Sequence, residues 1–259
     1  MLTIDLTGRR ALVTGGSRGI GAGIVRALAQ AGALVSFTHT GSARGRQAAA
    51  ALISELSQEG ARAADFAALA TDEAAMAGVA AAAAKMMGGI DIVVPNVGKN
   101  WACPIEEMDL ALWQRTLGVN LTTAFIATKI TLPHLLAANR ADVVLIGSSA
   151  VVDGGGGTVA YPAGKAGLLG MMVGMMRELP RKGIRVNAVH PCVVDTDLLR
   201  ERYDTEEKRA ELAADVPVGR LSTPQDVGAL VAFICSDLGS FICGQSIHVD
   251  GGRTIWRGR

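Results

Sequence analysis

Short apolar runs alternate with longer stretches of helical periodicity along nearly the whole chain. The apolar runs cover residues 10–14, 33–38, 61–66, 90–95, 142–148, 184–190 and 246–249. Runs of that length read as strands. Helical patterns fill most of the gaps, at residues 19–31, 47–59 and 72–87, with two longer ones at 111–139 and 161–182. Strands alternating with helices predict an α/β fold, a doubly wound parallel sheet with right-handed crossovers and helices on both faces. No linker rich in Pro, Gly and Ser interrupts the pattern and no repeat period is apparent, so residues 1–259 read as a single domain. Residues 192–221 depart from the alternation: they form a long, charged excursion with a helical stretch at 206–214. Ligands of open α/β sheets bind beyond the carboxyl ends of the strands. The excursion is therefore a candidate substrate lid, with an ordinary surface insertion as the alternative. The glycine run at 154–157 reads either as a place where backbone approaches a ligand or bends, or as a loose surface connection.

Composition narrows the classes. An apolar fraction of 49% suits strands buried on both sheet faces. No stretch of about 18 uncharged apolar residues predicts a membrane span, and the Ala-rich run at 79–84 is short and followed by Lys85. The start of the chain shows no basic region followed by an apolar core, so no secretory signal is expected. The net charge is +1 with no basic stripe, which argues against a nucleic-acid partner. The basic tail at 253–259 reads as a solvated terminus. Cys103, Cys192, Cys235 and Cys243 lack CxxC spacing, so free thiols in a cytoplasmic protein are the expectation. The four histidines are scattered singly and predict no metal site.

The residues that carry chemistry cluster after the strands. The first strand ends in Thr14-Gly-Gly-Ser-Arg-Gly-Ile-Gly21. Gly15, Gly19 and Gly21 permit a tight turn and let backbone N–H groups approach a pyrophosphate at a helix N-terminus. An acidic residue closing the second strand would bond a ribose 2′-hydroxyl and repel a 2′-phosphate. The segment from Leu34 through His39 and Thr40 to Ser42 has none, while Arg18, Arg44 and Arg46 offer guanidinium donors. NADP(H) is thus favoured over NAD(H); the alternative is that Arg44 and Arg46 merely decorate a helix start. Tyr161-Pro-Ala-Gly-Lys165 places an ammonium one helical turn from a phenol, which should pull the phenol below its ordinary pKa. Ser148 closes the fifth strand, where its hydroxyl can bond a substrate oxygen, with Ser149 adjacent. Asn120 lies in a helical pattern where asparagine is a poor former; a side chain holding water or a backbone carbonyl would account for it, the alternative being a mild local helix irregularity.

This succession resembles the short-chain dehydrogenases/reductases, and most nearly their 3-oxoacyl-[acyl-carrier-protein] reductase-like members. The resemblance runs through Thr14–Gly21, Pro95-Asn-Val-Gly98, Asn120, Ser148, Tyr161, Lys165, Val186-Asn-Ala-Val-His-Pro191 and Gly244-Gln-Ser-Ile-His-Val-Asp-Gly-Gly252. It implies a seven-stranded Rossmann-type sheet and a homotetramer packed through the two long helices. It also implies hydride transfer between a nicotinamide and a ketone or secondary alcohol. Tyr161 would be the general acid in reduction and the base in oxidation. Lys165 would lower its pKa and bind the nicotinamide ribose, Ser148 would orient the carbonyl, and Asn120 would hold a proton-relay water. Thr196 would bind the carboxamide and Asn96 would lie beside the adenosine ribose. Further cofactor contacts are implied at Gly15, Ser17, Arg18, Gly19, Ile20, Gly21, His39, Thr40, Gly98, Pro191 and Val194.

The chain departs from the family pattern at Pro95, which removes a backbone donor, and at Cys192, which adds a side chain near the expected nicotinamide. The acidic residue after the third strand is also displaced: Asp65 is near, but the register puts Leu69 there and Asp72 after it. Two other functions remain open. One is an NAD-dependent dehydrogenase of a sugar, polyol or hydroxysteroid. The other is a non-catalytic dinucleotide-binding protein, which should lose the tyrosine or lysine that this chain keeps. Trp101, Cys103, Val151, Asp153, Met171, Leu198 and Leu199 are expected around the substrate, with a hydrophobic surface cap as an equal reading of Trp101. An acyl-carrier-protein patch from Arg200, Arg202, Lys208 and Arg209 would be interrupted by Glu201, Glu206 and Glu207.

Overall fold

Seven parallel strands run in the order β3-β2-β1-β4-β5-β6-β7 in the computed structural model, which describes residues 2–255. They are β1 (Arg10–Val13), β2 (Leu34–His39), β3 (Ala63–Ala67), β4 (Ile92–Val94), β5 (Ala141–Ile146), β6 (Ile184–Pro191) and β7 (Ser246–Val249). The helices between them are α1 (Gly19–Gln30), α2 (Ala43–Gln58), α3 (Glu73–Met87), α4 (Leu110–Leu117), α5 (Thr123–Ala137), α6 (Ala150–Asp153), α7 (Ala160–Met175), α8 (Asp197–Arg202), α9 (Glu206–Ala214) and α10 (Pro224–Cys235).

Alternation along the strands divides the core in two. Ala11, Val13, Val35, Phe37, Val144 and Ile146 point to one face, where α1, α2 and α10 cover them. Leu12, Val93, Val143 and Leu145 point to the other, under α3, α5 and α7. Successive strand residues face opposite ways, so continuous apolar runs are what a sheet covered on both faces requires. At the amino end of the sheet Asp91 and Asp142 are buried among arginines. Arg9 reaches both carboxylates at 2.8 Å, and Arg185 meets Asp142 at 2.6 Å. This network lies at the end of the sheet away from the functional loops.

Three predicted helices change. The pattern at 111–139 is broken by a π-helical turn, Gly118–Thr122, between α4 and α5. The pattern at 161–182 ends as an α-helix at Met175, and a short 3₁₀ turn follows at Pro180–Lys182. The pattern at 47–59 begins earlier, at Ala43, because the Ser42 hydroxyl caps it by accepting the Gly45 N–H. Asp72 is similarly consumed as the N-cap of α3. The predicted lid at 192–221 carries α8 and α9. Of the basic tail, residues 256–259 lie outside the described residues. Strand order reverses between β1 and β4, which opens a crevice at their carboxyl ends.

Candidate active site

The glycine turn lies at this crevice. Gly15 has φ +67°, and a Cβ on Gly21 would stand 2.1 Å from the Gly15 carbonyl oxygen, so neither position accepts a side chain without rearrangement. Arg18, the residue before α1, is extended and gives no side-chain cap, and the first turn holds no acidic residue. The opening N–H groups of α1 are therefore available to an anion, with the helix dipole behind them. Asn96 braces the turn: its amide donates to the carbonyls of Thr14 (3.1 Å) and Gly15 (3.2 Å). An adjoining cavity of about 460 Å³ is lined by Ser17, Arg18, Gly19, Arg44 and Thr196 among others. A close-approach glycine turn, uncapped N–H groups and two guanidinium groups fit a dinucleotide phosphate.

At the end of β2 the three arginines part. Arg18 and Arg44 line this cavity, whereas Arg46 folds back onto the Gly41 carbonyl. Arg44 also pairs with Glu201 at 2.6 Å and Asp197 at 3.7 Å, both on α8. His39 is buried; its Nδ1 accepts the Gly41 N–H at 3.0 Å and its Nε2 lies 2.9 Å from Asp65. Those partners assign the proton to Nε2. Asp65 is thereby tied to the strand end rather than lying free. The Thr40 hydroxyl donates to Ser42.

A second cavity of about 360 Å³ opens beyond β5 and β6 and contains Ser148 and Tyr161. α7 carries Tyr161 and Lys165 on one face, and Lys165 is buried with its Nζ donating to the Ile146 carbonyl at 2.9 Å. Burial drops Lys165 from its ordinary value to about 8. Tyr161 moves opposite to the sequence argument. Burial holds it above its ordinary value; hydrogen bonding with Ser148 pulls it down and the Asp153 charge pushes it up. Desolvation of the phenolate outweighs the rest. At neutral pH Tyr161 is therefore a phenol with a proton to give. Gly98 lets the backbone lie against both groups beside it: a Cβ there would stand 2.8 Å from Lys165 Nζ and 3.0 Å from Asn120 Oδ1. Asn120, in the π-helical turn, donates to the carbonyls of Lys99 (2.7 Å) and Thr116 (2.9 Å) and accepts the Lys99 N–H (3.1 Å). The backbone carbonyl anticipated for it is thus present. Ser148 and Ser149 are distinguished: Ser149 donates to Asp153 at 3.3 Å, while the Ser148 hydroxyl accepts the Ala150 N–H at 3.2 Å and lies close enough to Tyr161 to influence its pKa.

The 192–221 segment contributes Leu198, Leu199, Tyr203 and Leu212 to this cavity, and the glycine loop contributes Gly155 and Gly156. Asp153, Leu198 and Leu199 line it as expected, whereas Trp101, Cys103, Val151 and Met171 do not. Trp101 instead stacks beneath Lys99 and Arg115. Cys103 bridges to Thr158, and Met171 packs on the core under α7. Thr196 caps α8, accepting the Leu199 N–H at 3.3 Å, with its methyl group toward Gly19. Pro191 ends β6, the Pro95 carbonyl accepts the Ile146 N–H, and Val194 is buried beside the second cavity. Of the basic lid residues, Arg200 is paired with Asp195, Lys208 with Asp204, and Arg209 with the Tyr203 carbonyl, so no continuous patch forms. Two residues escaped the sequence reading. His190 is fully buried with Nδ1 3.2 Å from both the N–H and the carbonyl of Ser148, stacked on His248 at 5.0 Å. A histidine inside an otherwise apolar strand was the available signal. Arg253 faces the second cavity and is 27% exposed, not a solvated tail.

Crevice, glycine turn and Ser-Tyr-Lys cluster together define a nicotinamide-dependent oxidoreductase of Rossmann architecture. Comparison with known proteins narrows this: the family described as enoyl-(acyl carrier protein) reductase matches residues 15–254. The chain is 35% identical to an L-rhamnose 1-dehydrogenase (NAD(P)(+)) of Azotobacter vinelandii, over 97% of this chain and 98% of that one. It is 34% identical to a 3-oxoacyl-[acyl-carrier-protein] reductase of Escherichia coli, over 96% and 98%. A blue fluorescent protein from a metagenomic library, solved in complex with NADPH, superposes with a TM-score of 0.87 at 36% identity, over 96% of this chain and 99% of that one. The chain belongs to the short-chain dehydrogenase/reductase family and is an NAD(P)-dependent oxidoreductase acting on carbonyl or CH–OH groups.

Proposed function

We propose that this protein is an NADP(H)-preferring carbonyl reductase, reversible as an alcohol dehydrogenase, with Tyr161 as general acid and base. The observation that carries the reading is a protonated Tyr161 that shares the 360 Å³ cavity with Ser148, one helical turn from buried Lys165. When bound, the nicotinamide supplies or accepts the hydride. Ser148 and Tyr161 hold the substrate oxygen by their hydroxyls, and Tyr161 gives that oxygen a proton in reduction and removes it in oxidation. The Lys165 ammonium stabilises the phenolate left behind. Asn120, through Lys99 and Thr116, holds the backbone beside Lys165 and Gly98, where a relay water would sit. Gly15, Ser17, Arg18, Ile20, Gly21, Asn96, Val194 and Thr196 would hold the dinucleotide, with His39 and Thr40 at its adenosine end. NADP(H) preference is supported by Arg18 and Arg44 in the phosphate-side cavity and by the lack of a carboxylate closing β2.

A cytoplasmic homotetramer completes the proposal. Phe125 and Leu136 on α5 and Val173 on α7 are exposed apolar side chains that a partner copy would cover. Among the described residues no helix is long and apolar enough to cross a membrane. The test is the rate of NADPH and NADH oxidation against a panel of ketones and β-ketoacyl thioesters. Turnover faster with NADPH, and reduced about 100- to 10,000-fold in Tyr161→Phe with cofactor affinity retained, is expected from loss of the proton donor. Equal turnover in Tyr161→Phe would refute the assignment, and faster turnover with NADH would refute the cofactor preference.

A further inference from the structure

The substrate cavity holds charges that reducing a simple ketone does not require. Arg253 follows β7 in a turn pinned by Asp250, whose carboxylate accepts the N–H groups of Gly252 (3.0 Å) and Thr254 (2.9 Å). That turn delivers the Arg253 guanidinium to the cavity that holds Ser148 and Tyr161. Among the described residues its nearest polar contacts there are long: Cys192 Sγ at 3.8 Å and an exposed Asp215 carboxylate at 3.9 Å. A guanidinium carries five N–H donors in a fork that matches an oxyanion, and among the described residues these two long contacts engage little of it. Arg202, the last residue of α8, lines the same cavity from the lid, beside the Tyr203 ring. Asp153 is the one carboxylate among the described residues that line the cavity, and it is exposed. Its oxygens accept the Gly155 N–H at 2.8 Å and the Ser149 hydroxyl at 3.3 Å. The cavity therefore presents two cations against one internally bonded carboxylate, among apolar lid residues that reduce solvent screening.

We propose that Arg253 is an anion-recognising residue of this cavity and that the preferred carbonyl substrate carries a carboxylate or phosphate. Arg202 closes over the same group from α8. The inference rests on the reductase reading for its carbonyl, but not for its anion site.

The test compares matched pairs that differ in one anionic group: acetoacetate, levulinate and benzoylformate, each against its methyl ester, and dihydroxyacetone phosphate against dihydroxyacetone. Turnover is measured with both NADPH and NADH, in the wild type, Arg253→Gln and Arg253→Lys. The wild type should favour the anionic member of at least one pair tenfold or more in kcat/KM. Arg253→Gln should remove that ratio through KM, and Arg253→Lys should restore part of it. A preference in the acid–ester pairs assigns a carboxylate, and one in the dihydroxyacetone pair a phosphate. Calorimetric binding of the same pairs reads the site without turnover. Discrimination in binding that Arg253→Gln abolishes upholds the anion site even if neither cofactor supports reduction, an outcome that would sink the reductase reading alone. Equal binding and equal kcat/KM of both members in every pair, or an anionic preference unchanged in Arg253→Gln, overturns the inference.

Discussion

His190 makes the stability of this protein sensitive to mild acid in a way that can be calculated. Its ring is fully buried at the carboxyl end of β6, against Ser148 and the ring of His248. Nδ1 is within reach of the Ser148 backbone, and Nε2 has no partner among the described residues. Burial, then the neighbouring His248, lowers His190 from 6.5 to about 4. Between those values the unfolded chain binds a proton that the folded protein excludes. Stability is therefore fully present above pH 6.5, falls as the pH is lowered through the window, and levels off below about 4. A gap of about 2.5 in pKa, at ~1.4 kcal/mol for each, corresponds to about 3 kcal/mol, a sizeable share of the 5–15 kcal/mol typical of a domain. The assay is urea unfolding at pH 7, 6, 5 and 4 for the wild type and for His190→Asn, which cannot titrate. Other groups contribute to both curves and cancel in the difference. The wild type should lose about 3 kcal/mol more than the variant between pH 7 and 4. Parallel curves would refute the reasoning and mean that His190 accepts its proton inside the fold without penalty.

Two further outcomes follow from the same geometry. Lys165 is held at about 8 by burial, so its ammonium is present at pH 7 and lost as the pH climbs; kcat/KM for carbonyl reduction should decline through about pH 8, and a flat profile to pH 9.5 would argue against a role for that charge. Asp142→Ala would remove the carboxylate from partly buried Arg185 and leave Arg9 only Asp91, and chemical denaturation should show a loss of about 3 kcal/mol with catalytic constants of the folded fraction retained.

Much of the site was legible because its chemistry is local in sequence. A turn built on Gly15, Gly19 and Gly21 needs no distant partner to be recognised, since only glycine tolerates its backbone angle and its close approach. Tyr161 and Lys165 meet because four residues make one helical turn. The seven apolar runs and the helices between them set the α/β class, because burial on both sheet faces leaves the same period in any such chain. Ser148 and Asn120 could be named by their place after a strand and within a helix. The π-helical turn that presents Asn120 was not visible, since it depends on the Lys99 backbone arriving from another loop.

What the tertiary structure decided is everything governed by solvent exclusion and by contacts between distant segments. A tyrosine four residues before a lysine reads as an acidified phenol, but packing around Tyr161 raises its pKa instead, because desolvating a phenolate costs more than its neighbours return. Arg44 and Arg46 look alike in the sequence; one meets Glu201 on α8 and the other turns back to Gly41. His39 and Asp65 stand on separate strands until parallel pairing brings them together. Arg253 reads as part of a basic tail, yet the turn after β7 brings it to the cavity that Tyr161 also lines. Local spacing carries torsional and helical geometry, whereas charge and pKa depend on which groups the fold withdraws from water together, and no stretch of sequence encodes that alone.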